Sequence, residues 1–306
     1  MGLTTIIQDS HPEFLLLSCF VLILGKYDIY LLHCVRAISM DNSSLKELFA
    51  ALRESRPLVH HITNYVTVND CANITLCIGA SPVMADAIEE MEEMTSIAGA
   101  LVLNIGTLNS RTVESMLLAG RVAREKDIPI ILDPVGAGAT SYRTKTAQTL
   151  IEQISPSVIK GNAGEISVLA GAGGVVKGVD SCDAAEDLVS VCKSLARETG
   201  AVVVATGKDD IATDGITSYA VSNGHEWMDK VSGTGCMLSS ITGSFSAVAS
   251  DILTASVAAA AAFGIAGERA AADKSYGPYS FRTKLFDKIS ALTPEDLASE
   301  AKVERI

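Results

Sequence analysis

Residues 230–250 have the sequence KVSGTGCMLSSITGSFSAVAS, and the prediction of the fold and of the functional site starts from this stretch. A glycine-rich turn leads directly into a segment rich in serine and alanine that is compatible with a helix. If a helix begins near Gly235, its first backbone N–H groups lack partners and carry the positive end of the helix dipole. Glycine lets a phosphate approach such groups closely. The stretch therefore predicts an anion-binding turn at Gly233, Thr234 and Gly235, with Cys236 on the first helical turn. The alternative is a plain junction between a loop and a helix, with a packed cysteine.

Composition and charge limit the class of protein. The chain has 306 residues, of which 48% are hydrophobic and 20% are charged. This hydrophobic share is enough for a large core and too high for a disordered chain. The formal net charge of -12 argues against a nucleic-acid-binding protein, which would carry a basic face. An acidic protein can still bind phosphates through backbone amides and a metal ion.

The seven cysteines are scattered, without a C-x-x-C pair or the spacing of a zinc site. Because their number is odd, we interpret them as reduced thiols and expect a cytoplasmic protein.

The N-terminal region has a different character from the rest of the chain. Its apolar run, Phe14–Gly25, has about half the length needed to span a bilayer. No lysine or arginine precedes the run, which makes it a poor signal peptide. A helical pattern begins just after Met40. We predict that residues 1–39 are an apolar appendage or a misassigned start, and that residues 40–306 form one domain. A membrane anchor is the less favoured alternative.

From Pro57 onward, short apolar runs alternate with amphipathic segments, which is the pattern of an α/β protein. The predicted buried parallel strands are Ala100–Ile105, Ile128–Leu132, Val158–Lys160 and Val202–Ala205. The predicted helices are residues 111–126, 144–154, 184–198 and most of 233–273. Asp214 and Gly215 predict a tight turn in a hairpin over residues 211–222.

Polar residues follow the carboxyl ends of these four strands. The segments are Asn104–Thr107, Asp133–Gly138, Gly161–Asn162 and Thr206–Gly207. Ligands of open α/β sheets bind at this edge. We therefore expect the four segments to form one site.

Four side chains in or beside these segments are candidates for phosphate chemistry. Asp133 can hold Mg²⁺ directly or through water, and Glu165 can orient metal-bound water. Lys160 can neutralise a phosphate, and Thr206 can offer it a hydroxyl group. Each has a simpler alternative: Asp133 can start a turn before Pro134, and Glu165 can be a favourable acid in a first helical turn. A threonine that ends a buried strand is equally ordinary.

Two features upstream are harder to assign. The pair His60 and His61 suggests a metal site, but no third ligand lies at a suitable spacing, so we do not expect metal there. Met84 follows Pro82, and we expect it to begin a helix. Its flexible apolar side chain can pack against a small heterocycle there. Packing in the core is the alternative.

Seven motifs occur in a fixed order between about Arg56 and Thr293. They are HITNYVTVNDCAN (61–73), GASPVMAD (79–86), NIGTL (104–108), DPVGAGAT (133–140), KGNAGEI (160–166), ATG (205–207) and VSGTGC (231–236). A lone G-T-G is weakly specific, whereas the ordered set is very specific. Together the motifs resemble the hydroxyethylthiazole kinases of the thiamine pathway, which lie within the ribokinase-like superfamily. Cys236 stands where most kinases of that superfamily carry Asp.

The resemblance implies a fold, a reaction and an assembly. The fold is a ribokinase-like three-layer α/β/α sandwich with a mostly parallel central sheet. The reaction passes the γ-phosphoryl group of ATP, with Mg²⁺, to the hydroxyl of hydroxyethylthiazole and yields the thiazole phosphate for thiamine phosphate biosynthesis or salvage. The assembly is a homotrimer with active sites between subunits.

The resemblance also implies roles for residues at matching positions. The implied thiazole contacts are Met84, Gly233 and Asn64, and the implied ATP contacts are Lys160 and Thr206. The implied Mg²⁺ and water ligands are Asp133 and Glu165, with Cys236 at the position of the catalytic Asp.

Three departures from the family pattern are visible. Lys160 replaces the usual Arg, which trades a bidentate fork for a point charge. Tyr279 interrupts the G-P-G-S-F sequence near the family's C-terminus, and residues 1–39 have no counterpart.

Other functions fit the sequence less well. A hydroxymethylpyrimidine kinase would share the architecture but not the N-terminal motifs. An ADP-dependent hydrate dehydratase, a lyase, is expected to carry Asp at position 236. A non-catalytic thiazole or nucleotide binder would have lost the phosphate and metal ligands, yet Asp133, Lys160 and Glu165 are present. We expect neither a nucleic-acid nor a membrane partner.

Overall fold

The computed structural model describes residues 42–172, 182–274 and 277–306, without the side chains of residues 182–186. The prediction for residues 1–39 lies outside these ranges. The backbone of the predicted helix 184–198 is described, but the side chains of its first three residues are not.

A single sheet runs through the described part of the chain. Its strands are β1 (Leu58–Ile62), β2 (Ser81–Met84), β3 (Ala100–Asn104), β4 (Ile130–Asp133), β5 (Val158–Asn162), β6 (Val202–Thr206), β7 (Asp210–Thr213), β8 (Ser218–Val221) and β9 (Val303–Arg305). Their spatial order is β2-β1-β3-β4-β5-β6-β7-β8-β9. The strands from β2 to β6 pair in parallel, and β7, β8 and β9 extend the sheet by antiparallel pairing. The carboxyl ends of five neighbouring parallel strands, β1 and β3 to β6, therefore meet at one edge.

Helices connect and cover the strands. They are α1 (Asn42–Ser55), α2 (Val68–Ile78), α3 (Met91–Ser96), α4 (Ser110–Glu125), α5 (Ser141–Ile154), α6 (Ala163–Leu169), α7 (Cys182–Thr199), α8 (Thr234–Ser246), α9 (Ile252–Ala272), α10 (Pro278–Ala291) and α11 (Pro294–Glu300). Short 3-10 turns lie at Ile88–Glu90 and Glu226–Lys230.

Alternate residues of β3 face opposite layers. Ala100 and Val102 belong to a buried cluster that also contains residues of α1, α2, α8, α9 and α10. Leu101 and Leu103 belong to a second cluster with residues of α4 and α5. Successive side chains of a strand point to opposite faces of its sheet, so both faces are covered. The predicted α/β/α sandwich with a mostly parallel sheet is confirmed.

The helix α8 packs directly against the sheet. Every residue from Cys236 to Ser246 is buried. A Cβ atom added to Gly243 would lie 2.7 Å from Val102 Cγ2 of β3, so only glycine permits this close approach. This packing fixes the start of α8 relative to the carboxyl ends of the central strands.

The helix α9 is apolar over most of its length. Within the described ranges, Ile252–Ala272 is the one helix long and apolar enough to cross a membrane, but 78% of its most apolar window is buried in the protein. Such burial is typical of a core helix.

The predicted strands at β3, β4, β5 and β6 and the hairpin β7–β8 are confirmed, with bounds shifted by one or two residues. The helix predicted at Met84 is wrong. Residues 81–84 form β2, whose Pro82 pairs with Val59 of β1. Proline has no N–H group to donate, and it is tolerated here because β2 is the edge strand of the sheet.

Candidate active site

The glycine-rich turn lies at the beginning of α8, as predicted. Gly233 is the N-cap residue and has a φ angle of 89°, in the left-handed region. A Cβ atom at this position would lie 2.3 Å from Thr67 Cγ2, so the turn requires glycine for both conformation and space. The first backbone bond of the helix runs from Met237 N to Gly233 O (2.8 Å). The three N–H groups before it therefore precede the helical ladder, where an anion can accept from them.

A buried ion pair lies beside this turn. Lys160 Nζ lies 3.3 Å from Asp133 Oδ2, and both side chains are almost fully buried. The ammonium group also donates to Gly235 O (2.8 Å). Burial has the largest single effect and lowers the pKa of Lys160, but the Asp133 carboxylate and the smaller effects of neighbouring acidic groups together raise it by more, so the net shift is upward and Lys160 stays charged.

Asp133 Oδ2 accepts two further hydrogen bonds from neutral groups. Asn104 Nδ2 donates at 2.9 Å and Ser239 Oγ donates at 2.7 Å. Buried carboxylates need such partners because burial without them is costly. The end of β3, the end of β4, the middle of β5 and the first turns of α8 are thus joined at one carboxylate.

Two side-chain amides surround the sulfur of Cys236. Asn64 Nδ2 lies 3.3 Å from Cys236 Sγ, and Asn104 Nδ2 lies 3.2 Å from it. Asn64 Nδ2 also donates to Asn104 Oδ1 (3.0 Å). Lys160, Asp133, Asn64 and Cys236, all selected from the sequence, therefore belong to one buried network.

Glu165 lies at the beginning of α6. Its Oε1 accepts from Gly136 N (2.7 Å), in the loop after β4, and its Oε2 accepts from Asn162 N (2.8 Å). Asn162 in turn caps the helix by accepting from Glu165 N, which completes a capping box. The helix-capping alternative is therefore observed, and the bond to Gly136 connects Glu165 to the segment that follows Asp133. Burial raises the pKa of Glu165.

Thr206 and Met84 lie outside this hydrogen-bonded network. Thr206 ends β6 opposite Asn162, and its hydroxyl donates to Gly161 O (3.3 Å). Met84 ends the edge strand β2 beside His61 of β1 and is half-buried.

The two histidines are held by protein groups. His60 Nδ1 and Nε2 lie 3.1 Å from Thr95 Oγ1 and 2.9 Å from Ala85 O. His61 Nε2 lies 3.1 Å from Ser240 Oγ of α8, and burial lowers the pKa of His61 to about 4. Both rings therefore act as neutral packing groups between β1 and its neighbours.

Arg143 connects the loops that follow β3 and β4. Its guanidinium group donates to the carbonyl oxygens of Ile105 (3.0 Å), Val135 (2.6 Å) and Gly106 (2.7 Å). It also lines a cleft of about 420 Å³ together with Tyr65, Gly106–Asn109, Thr140 and Tyr142.

The candidate site includes three residues for which the sequence suggested no individual role. They are Asn104, Ser239 and Arg143. A polar residue that ends a buried strand was the available signal for Asn104. No local signal exists for the other two, because their partners are distant in sequence.

Comparison with known proteins identifies the family of the chain. The hydroxyethylthiazole kinase family matches residues 49–295 of the chain. The hydroxyethylthiazole kinases of Methanoculleus marisnigri and Methanocella arvoryzae are each 58% identical to it, over 87% and 86% of this chain and 95% and 99% of their own lengths.

Solved structures give the same result. A hydroxyethylthiazole kinase protein from Pyrococcus horikoshii is 42% identical, with a TM-score of 0.80, over 86% of this chain and 99% of its own. A pyridoxal kinase from Staphylococcus aureus, 18% identical with a TM-score of 0.50 over 67% of this chain and 85% of its own, shares the fold. The chain belongs to the hydroxyethylthiazole kinase family, within the ribokinase-like fold.

Proposed function

We propose that this protein is a kinase that transfers the γ-phosphoryl group of ATP to the primary hydroxyl of hydroxyethylthiazole. The product is the thiazole phosphate, which serves thiamine phosphate biosynthesis or salvage. The observation that carries the proposal is the buried network that joins Lys160, Asp133 and Cys236 at the first turn of α8. This is the arrangement that phosphoryl transfer needs: a cation, a carboxylate and free backbone N–H groups at one point.

In the proposed reaction, the hydroxyl oxygen of the thiazole attacks the γ-phosphorus. The bond between that phosphorus and the bridging oxygen of the β-phosphate breaks, and ADP leaves with the electron pair. The hydroxyl proton is released to solvent once the new P–O bond has formed. We assign the transferring group to the turn at residues 233–235, where the N–H groups of residues 234–236, which precede the helical ladder, stabilise its negative charge. Lys160 and Thr206 are the proposed ATP contacts, and Lys160 supplies the positive charge.

Cys236 is the proposed group that orients the thiazole hydroxyl. Under a loose transition state the hydroxyl proton leaves late. The position of the group that accepts a hydrogen bond from the hydroxyl therefore matters more than the basicity of that group. The sulfur lies on the first turn of α8, beside the turn assigned to the phosphoryl group. A cysteine can therefore stand where other kinases of the superfamily carry Asp.

The donor set suits Mg²⁺. Among the described residues no group of three His, Cys, Asp or Glu side chains is arranged around a common metal position. Asp133 and Glu165 offer carboxylate oxygens, which Mg²⁺ prefers, and Mg²⁺ commonly retains several water ligands when only one or two carboxylates hold it. The hydrogen bonds to Asp133 are made at Oδ2, which leaves Oδ1 as the acceptor for a metal or its water. Bound Mg²⁺ would neutralise charge on the β- and γ-phosphates.

We further propose a homotrimer in which a neighbouring subunit completes the thiazole site. Asn64, Met84 and Gly233 are the proposed thiazole contacts. Tyr65 and Val66 directly follow the buried Asn64, yet they are 79% and 63% exposed. Large apolar side chains exposed beside a site are typical of surfaces that a partner covers.

The remaining assignments are also proposals. We place the enzyme in the cytoplasm, with residues 40–306 as the kinase domain. The net charge of -12 argues against a nucleic-acid partner.

The test is a product assay with the full-length chain. The protein would be incubated with ATP, Mg²⁺ and hydroxyethylthiazole, and with hydroxymethylpyrimidine in parallel, and the products would be identified by mass spectrometry. We expect phosphate transfer to the thiazole alone. Transfer to the pyrimidine alone would overturn the substrate assignment, and transfer to neither would overturn the kinase proposal.

A further inference from the structure

One side-chain amide, that of Asn104, contacts both key groups of the candidate site. Its Nδ2 lies 2.9 Å from Asp133 Oδ2 and 3.2 Å from Cys236 Sγ. Asn104 ends β3 and is 2% exposed. An amide NH₂ group has two hydrogens, and here one faces the carboxylate and the other faces the sulfur.

Backbone N–H groups can only donate hydrogen bonds, and they fix which way each of the two amides is turned. Asn104 Oδ1 accepts from Gly106 N (2.9 Å), so its oxygen points toward the loop and its NH₂ group points into the site. Asn64 is oriented in the same way, because its Oδ1 accepts from Val66 N and Thr67 N, at 3.1 Å each. A flip of either amide would set its NH₂ group against a backbone N–H donor.

The sulfur of Cys236 consequently faces two oriented N–H donors, one from Asn64 and one from Asn104. Such donors hold the sulfur in place. The same amide of Asn104 sets the distance between this sulfur and the Asp133 carboxylate, which lies next to Lys160.

We propose that Asn104 is a positioning residue, which fixes the sulfur of Cys236 relative to the Asp133 carboxylate and keeps the sulfur an acceptor of hydrogen bonds. This role rests on the proposed kinase function, in which Cys236 orients the thiazole hydroxyl and Asp133 serves the phosphate side. Asn104 thereby aligns the thiazole hydroxyl with the phosphoryl group that this hydroxyl attacks.

The test uses the full-length chain with Asn104→Asp and Asn104→Ala. Asn104→Asp keeps the size of the side chain but replaces both N–H donors by an oxygen that faces the carboxylate and the sulfur. Asn42→Asp is the matched control: Asn42 begins α1, and its side-chain amide donates to Ala298 O of α11 (2.9 Å), so the same substitution removes a side-chain donor outside the candidate site.

For Asn104→Asp we expect kcat to fall about 100-fold or more, since small misplacements of reacting groups cost factors of this size. The KM values for ATP and thiazole should change by less than about tenfold, because Asn104 acts through the chemical step. Asn104→Ala, which loses the donors without adding charge, should show a smaller loss of kcat. Asn42→Asp should keep kcat within about twofold of the unmodified enzyme, because the donor that it removes lies outside the candidate site and an acid is favourable at the start of a helix.

The second readout does not require catalysis. The rate at which iodoacetamide alkylates Cys236, followed by peptide mass spectrometry, should fall at least about fivefold in Asn104→Asp, because a carboxylate beside the sulfur disfavours the reactive thiolate. The control variant should leave this rate unchanged. A changed alkylation rate in a protein that phosphorylates no thiazole would support the geometry of Asn104 and refute the proposed function instead.

Three results would overturn the positioning role. The first is an unchanged kcat in Asn104→Asp. The second is a loss of kcat with an unchanged alkylation rate at Cys236. The third is failure of both Asn104 variants to fold while Asn42→Asp folds, which would assign Asn104 to stability.

Discussion

Replacing Gly233 by alanine tests the geometry of the turn before α8. The φ angle of 89° at this position costs a residue other than glycine about 1 kcal/mol. The added Cβ would also lie 2.3 Å from Thr67 Cγ2, far inside van der Waals contact, so one of the two must move. Overpacking of this kind costs about 1–3 kcal/mol. We therefore expect Gly233→Ala to lower the free energy of unfolding by about 2–4 kcal/mol.

The same substitution should reduce activity. Thr67 Oγ1 donates to Asn64 Oδ1 at 3.1 Å, and Asn64 in turn donates to Cys236 Sγ. A displaced Thr67 therefore disturbs the amide that holds the sulfur. We expect kcat to fall by more than about tenfold, since alignment of the hydroxyl and the phosphoryl group is lost.

The assay combines urea unfolding with steady-state kinase turnover. Gly200→Ala is the control for conformation alone, because Gly200 has a φ angle of 73° and an added Cβ meets nothing within 4 Å. Thr67→Ser combined with Gly233→Ala removes the clashing methyl group and keeps the hydroxyl. The double variant should regain all but about 1 kcal/mol of the lost stability relative to Thr67→Ser alone. The steric reasoning is refuted if Gly233→Ala destabilises no more than Gly200→Ala, or if Thr67→Ser restores nothing.

Three further predictions concern the same site. Cys236→Asp should retain or raise kcat in a coupled assay, because two amide donors already face this position; a loss of several orders of magnitude would contradict this. Lys160→Met should lower the free energy of unfolding, measured in urea, by about 3–5 kcal/mol, because it leaves the Asp133 carboxylate buried without its cation. The double variant that also carries Asp133→Asn should regain stability but not activity. The pKa of His61 is about 4 in the folded protein and about 6.5 unfolded, so the unfolded chain binds the extra proton between these values. The free energy of unfolding should fall by about 3 kcal/mol as the pH drops from 6.5 to 4. Urea unfolding of the unmodified protein and of His61→Gln at a series of pH values in this range should show a smaller loss in His61→Gln.

The strands that form the site edge could be predicted because parallel strands buried on both faces are continuous apolar runs. Ala100–Asn104 and Val202–Thr206 are of this kind, and each ends in a polar residue that the sheet brings to the same edge. The ligand-bearing edge then follows from topology. Asp133 and Lys160, which the sheet brings into contact, lie at or next to the ends of their strands and are therefore predictable in the same way.

The errors have physical causes. Pro82 suggested the start of a helix at Met84, because a sequence does not show which strand will lie at the margin of a sheet, where proline is allowed. The roles of Asn104 and Ser239 depend on contacts to Asp133 across 29 and 106 positions of the chain. Packing of α8 against the sheet creates the bond from Ser239, and no local pattern encodes it.

The edge strand β2 has a consequence for the solubility of the protein. Ser81 N donates inward to Pro57 O and Ala85 N donates inward to His61 O, so the intervening Pro82 faces the unpaired margin of the sheet. Since proline has no N–H group, the middle of this four-residue margin offers no donor to an incoming chain. Natural proteins use such interruptions to prevent the addition of foreign strands and the growth of aggregates. The gap at Pro82 therefore disfavours association of copies at the β2 side by extension of the backbone ladder, which would accept almost any sequence, and favours contacts through side chains, which can be matched to one another.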